Sequence, residues 1–170
     1  LDYLINHVII RESEHIKKKM DVPLELKDGR YILEPPALYI SSNGNLIYHA
    51  TDKTNGRKLI VKFVFVEDQY EAYNEIEAMQ ILSHEGLISF HDYIELPKEN
   101  YLAIVLDYML CGDLLDFVNN NGVLDEDIAA RAFYHLVEAL KEMHCNNVIH
   151  RDIKLENIFI KDVKNAIPTF

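Results

Sequence analysis

The chain has 170 residues, 49% hydrophobic and 26% charged, with 28 acids against 17 bases and a net charge of −11. That length carries one ordinary core or one and a half small lobes, and the acidic balance argues against nucleic acid or an anionic membrane as a main partner. The longest uninterrupted apolar run, residues 101–106, is a strand's length and cannot span a bilayer.

Two cysteines make no disulfide framework and read as reduced thiols of an intracellular protein, cytoplasmic or nuclear. The eight histidines are scattered without a zinc-site spacing and read as surface or structural residues. Residues 1–20 put Leu1, Leu4, Ile5, Val8 and Ile9 at helical spacing. This predicts an amphipathic helix that could pack on the following lobe, bind a regulatory partner or end an upstream region, with Lys17, Lys18 and Lys19 as its solvated end. Pro23, Gly29, Pro35 and Pro36 then break the pattern, so 21–36 reads as a linker.

From Ala37 the texture turns to short β-like runs over 37–41, 46–51 and 59–65. Asn43-Gly44-Asn45 and Thr54-Asn55-Gly56 are the hairpin signals between them. Lys62 lies inside the third run, among Ile60, Val61 and Phe63, and a lysine buried there needs a partner. Residues 68–83 predict a helix with Ala72, Ile76, Met79 and Leu82 on one stripe. Glu75 sits on the edge of that stripe, while Glu77 falls on the more polar face. Runs at 87–93 and 101–106 complete five strands. Asp113 is a good N-cap for a helix over 114–120, and Asp125 for a long helix that ends at Asn146-Asn147. Ala129, Phe133, Leu136, Val137, Leu140 and Met143 form the stripe expected to bury that second helix.

The chain then reads His150-Arg151-Asp152-Ile153-Lys154-Leu155-Glu156-Asn157, followed by an expected strand at 158–160. An acid, a lysine two residues on and an amide five residues on have the spacing of a phosphoryl-transfer loop. A hydroxyl attacking a phosphate needs a carboxylate to orient it and accept its proton. The transferring group needs a cation, and magnesium prefers a hard oxygen such as that of Asn157. The bland alternative is a polar surface loop after a helix.

This loop matches H-R-D-x-K-x-x-N, and with Lys62 and Glu75 upstream in order it resembles a eukaryotic protein kinase domain. The lysine after the acid is similar to the Ser/Thr class. The resemblance covers about 37–170, the front half of such a domain, so the chain is expected to be a fragment of a longer protein and inactive alone; a D-F-G motif after Phe170 would favour an enzyme, and its absence a scaffold. It implies an α+β fold: a five-stranded antiparallel amino-terminal lobe with helix C over 37–106, a hinge over 107–112, and the start of a helical lobe over 113–170. Residues 1–36 would be an extension.

The resemblance also implies roles. Asp152, Lys154 and Asn157 would be catalytic, with Asn157 on Mg2+. Lys62, held by Glu75, would hold the phosphates of ATP. Ile47, Ile60, Leu106 and Phe159 would enclose adenine, and Asp107 and Met109 would offer it backbone groups. Ser42 and Gly44 would lie in the phosphate loop. Asp113 would meet the ribose, a reading compatible with its N-cap role. Glu156 sits where many basophilic kinases recognise a substrate arginine. Three departures stand against full conformity. Glycines are missing at Ile40, Ser42 and Asn45; Ile60 replaces a smaller residue and Phe159 the usual leucine; and no D-F-G aspartate for the main metal ion is identifiable in 161–170. Two functions therefore stand: an ATP-dependent kinase acting on protein Ser/Thr, or a pseudokinase scaffold with weak nucleotide binding.

Overall fold

The structure is a computed structural model that describes residues 22–40, 45–65, 69–164 and 167–169. The predicted helix over 1–20, Ser42, Asn43 and Gly44 lie outside them. Six strands build one antiparallel sheet: β1 (Glu25–Leu26), β2 (Tyr31–Ile40), β3 (Leu46–Asp52), β4 (Arg57–Phe65), β5 (Phe90–Leu96) and β6 (Tyr101–Asp107), in the order β1-β2-β3-β4-β6-β5. The expected five strands are present, with two differences. The linker expected over 21–36 contributes β1 and the first part of β2. The strand expected over 87–93 runs Phe90–Leu96 instead. Alternation drives the first difference. Leu26, Tyr31 and Leu33 are buried on one face, so this proline-flanked stretch gains more by joining the sheet than by staying open.

The sheet curls until the turn after β1 and the start of β2 meet β5. Tyr31 Oη donates to Asp92 Oδ2 at 2.9 Å and Lys27 Nζ reaches the same oxygen at 2.5 Å. Burial and that hydrogen bond push the Tyr31 hydroxyl up to about 12. The concave side closes over Leu59, Val61, Phe63, Ala103 and Val105, with Phe63 set edge-on to Tyr48 and Tyr101. The β3–β4 turn is fastened by Asp52, which is only 3% exposed. One carboxylate oxygen accepts from Arg30 Nη2 at 2.9 Å; the other accepts from the Thr54 amide at 2.9 Å and its hydroxyl at 2.6 Å.

The hydrogen bonds from Arg30 and Thr54 hold the Asp52 carboxyl down, from 3.8 to about 2. A depressed carboxyl contributes stability that is complete above its unfolded value and is lost as pH falls through its folded value. Wild-type chain should therefore lose more stability than Asp52→Asn between about pH 5 and about pH 2.5. Urea unfolding at both pH values checks this, and equal losses would contradict it.

Helix α1 (Gln69–Ile81) packs Ala72 and Ile76 against the opposite face of the sheet, on Val64, Leu102, Ile104 and Leu106. The loop after it approaches helix α3 (Glu126–Cys145) closely at Gly86, where a Cβ would stand 3.3 Å from the Ala139 Cβ. Helix α2 (Leu114–Asn121) starts at Asp113, whose carboxylate accepts from the Asp116 amide at 2.9 Å, so the expected N-cap is made.

Asp125 stands at the N-cap of α3 but makes no capping hydrogen bond from its side chain. The stripe expected to bury α3 holds at Met143, which is buried, and in part at Leu136 and Leu140, which are half-buried. It is corrected elsewhere: Ala132 and Ala139 are buried instead, whereas Phe133 and Val137 are exposed at 66% and 42%. The apolar arc is wider than the surface that covers it. Asn146 ends the helix and Asn147 takes φ 59°, as the Asn-Asn pair predicts. The strand expected at 158–160 is a single bridge, Asp113 with Phe159. A 3-10 turn (Leu155–Asn157) and a hairpin of β7 (Asp162–Lys164) and β8 (Ile167–Thr169) close the described chain. Among the described residues no helix is long and apolar enough to cross a membrane.

Candidate active site

Strand alternation sorts the sheet residues into two sets. Leu59, Val61 and Phe63 point into the curl; Ile60 and Val64 pack on the side of α1, and Lys62 lies between them in the same phase. Residues directly opposite in an antiparallel ladder share a face. Ile47 is opposite Lys62, and Leu106 is opposite Ile60. Ile47, Ile60, Lys62 and Leu106 thus line one wall.

On that wall Lys62 Nζ donates to both carboxylate oxygens of Glu75, each at 2.7 Å. The side chains are 24% and 37% exposed, so the pair is fixed yet open to an anion. Glu75 reaches Lys62 because it is one residue before Ile76 on the packed side of α1. Glu77 is exposed and lines an open groove with Asn147 and Val148.

The chain leaves the wall through residues 107–113. Gly112 takes φ 73°, which an L side chain adopts at a cost. Two backbone hydrogen bonds stitch this segment to residues 158–160 after the loop: Leu114 N–H to the Ile158 carbonyl at 2.8 Å, and Ile160 N–H to the Gly112 carbonyl at 2.9 Å. They bring Asp113 beside Phe159. Burial pushes the Asp113 carboxyl up, and the nearby charges of Asp116 and Glu156 add to this.

The loop itself is organised by hydrogen bonds. Asp152 Oδ2 accepts from Lys154 Nζ and from Asn157 Nδ2, both at 2.9 Å; Asn157 Nδ2 also donates to the Asp152 carbonyl at 2.8 Å. Arg151 is held at φ 67°, a strained conformation for a long side chain at the turn that presents Asp152. The donors from Lys154 and Asn157 keep the Asp152 carboxyl below its ordinary range, so it is an acceptor at neutral pH. With its amide nitrogen spent on Asp152, Asn157 has its carbonyl oxygen to offer a hard cation.

The structure thus joins Lys62 with Glu75, Asp113 with Phe159, and Asp152 with Lys154 and Asn157. Sequence reading missed one cluster. His91 and Arg57 converge on the Asp107 carboxylate, and His49 lies against Tyr108 with ring centroids 4.6 Å apart. The available signal was the polar pair His91-Asp92, which interrupts the alternation of β5.

Comparison with known proteins identifies the family. The family described as protein kinase domain matches residues 43–167. A Plasmodium falciparum (isolate K1 / Thailand) protein named "Probable serine/threonine-protein kinase 2" is 32% identical over 117 residues, covering 68% of this chain and 22% of that protein. Serine/threonine-protein kinase pim-2 of Danio rerio is 37% identical over 95 residues, covering 51% of this chain and 31% of its own. The crystal structure of Rad53 1-466 in complex with AMP-PNP superposes with a TM-score of 0.74 at 22% identity, covering 82% of this chain and 37% of that one. The chain therefore spans less than a third of the length of these two curated relatives. With a family match over most of its length, a kinase-like sheet and an ordered H-R-D-x-K-x-x-N loop, the chain belongs to the protein kinase domain family.

Proposed function

We propose that this domain binds Mg-ATP and serves a protein Ser/Thr kinase that moves the γ-phosphoryl of ATP onto a protein hydroxyl. The observation that carries the reading is the loop geometry, in which one ionised carboxylate is held by a lysine and an amide at 2.9 Å. In this reading Asp152 orients the acceptor hydroxyl and takes its proton, and Lys154 turns from Asp152 toward the incoming phosphoryl group. Lys62, steadied by Glu75, holds the nucleotide phosphates. Ile47, Ile60, Leu106 and Phe159 enclose adenine, the backbone of Asp107 and Met109 meets its edge, and Asp113 meets the ribose. Ser42 and Gly44 would cover the phosphates.

Among the described residues no three His, Cys, Asp or Glu side chains gather into a metal site. The donors present fit magnesium as part of a nucleotide complex, with Asn157 supplying one neutral oxygen. When bound, magnesium neutralises charge between the phosphates. The partner is a protein carrying Ser or Thr, and residues 1–20 are a candidate contact for a regulator.

The competing reading is a scaffold of kinase shape, favoured by the bulk of Ile60 and Phe159 at the base slot. The test is transfer of labelled phosphate from ATP to a Ser/Thr-containing protein by the full-length protein. Transfer supports the kinase; its absence from a folded protein that still engages partners supports the scaffold.

A further inference from the structure

The start of the connecting segment is gripped by side chains that the proposed chemistry does not use. Asp107 Oδ1 meets His91 Nε2 at 2.6 Å and Arg57 Nη2 at 3.1 Å, and the Asp107 amide donates to the Ser89 carbonyl at 3.0 Å. Burial raises the Asp107 carboxyl, yet the hydrogen bonds from His91 and Ser89, with the charge of Arg57, hold it below its ordinary range. It is a carboxylate and can only accept, so His91 Nε2 carries the proton and donates.

His91 is aimed there by a break in the ladder. Phe90 pairs with Leu106 and Asp92 with Val105, so His91 is the extra residue of a β-bulge. The bulge also reverses the face: Phe90 packs on the side of α1, whereas Ile94 and Leu96 pack inside the curl. A regular strand would keep Phe90 and Ile94 together. Bulges near functional sites re-aim a side chain, and this one delivers His91 to the carboxylate at which β6 becomes the connecting segment.

We propose that His91 and Arg57 are positioning residues that hold Asp107, and so the backbone edge that adenine meets, in its binding register. The inference rests on the nucleotide reading above. Neither side chain touches the base; both act through Asp107. Arg57 is the more exposed of the two, at 53%, and contributes less.

The experiment is calorimetric titration of the chain with Mg-ATP and separately with adenosine, for wild type, His91→Ala, His91→Gln, Arg57→Gln and Lys62→Met. His91→Ala should weaken both ligands by the same factor, roughly three- to tenfold, which is what one hydrogen bond carries. His91→Gln, which restores a donor, should return most of the loss. Lys62→Met should weaken Mg-ATP and leave adenosine unchanged. If His91→Ala fails to fold, Arg57→Gln carries the test, with a smaller loss shared by both ligands. Wild-type affinity in His91→Ala, or a loss confined to Mg-ATP, or failure of glutamine to rescue, would overturn the positioning role alone. A wild-type chain that binds neither ligand would overturn the nucleotide reading and this inference with it.

Discussion

Asp152→Asn in the full-length protein is expected to lower phosphoryl transfer on the order of a thousandfold while leaving folding nearly unchanged. The size follows from the role: proton transfer by a positioned side chain contributes roughly 10²–10⁴-fold. Folding is spared because the side chain is 61% exposed and asparagine keeps an oxygen to accept from Lys154 and Asn157. What it loses is the charge that would take the proton in the proposed reaction. Lys154 and Asn157 should still bind Mg-ATP in the variant, so binding and turnover separate. Rates with saturating ATP, together with a thermal unfolding midpoint, check both halves. Activity that survives the change nearly intact would remove Asp152 from the chemistry.

Lys62→Met should be the next most severe change, and by a different route. Methionine fills much of the same space on the α1 side of the sheet, so Val64 and Ile60 keep their packing. The cation that would meet the phosphates is gone, and kcat/KM should fall on the order of a hundredfold. Glu75→Gln should cost less, because a glutamine can still accept from Lys62 while losing the charge that steadies it. The stability cost of either change should be small, about 1 kcal/mol or less, since the pair is partly open to solvent. Denaturant unfolding beside steady-state kinetics separates the two effects. A Glu75→Gln protein as impaired as Lys62→Met would mean that the glutamate does more than hold the lysine.

Much of this arrangement was legible because local and long-range demands agree. Lys62 among Ile60, Val61 and Phe63 had to find a partner, and the α1 stripe offered one carboxylate on its edge and one off it. The pair forms at 2.7 Å with Glu75, the edge residue. Asp113 announced a helix start and makes the cap. The loop was legible because its chemistry fixes its spacing.

What was missed depended on curvature. Period-two patterning says which residues share a face, not how far a sheet bends. The meeting of Lys27 and Tyr31 with Asp92 follows from the curl of a sheet in which β1 and β5 stand at opposite ends of the strand order. The bulge at His91 was hidden for a related reason: one extra residue leaves hydrophobicity almost unchanged while turning the strand over. The exposed Phe133 shows a third limit, since periodicity reports which residues could be buried but not what arrives to cover them.

The proposed function requires that the wall carrying Lys62 receive a nucleotide. Mg-ATP can be titrated into the wild-type chain and into Lys62→Met. One saturable, magnesium-dependent site is expected in the wild-type chain, weakened at least about tenfold by Lys62→Met, a loss of about 1.4 kcal/mol. Equal affinity in the two proteins, or no binding by a folded wild-type chain, would contradict it.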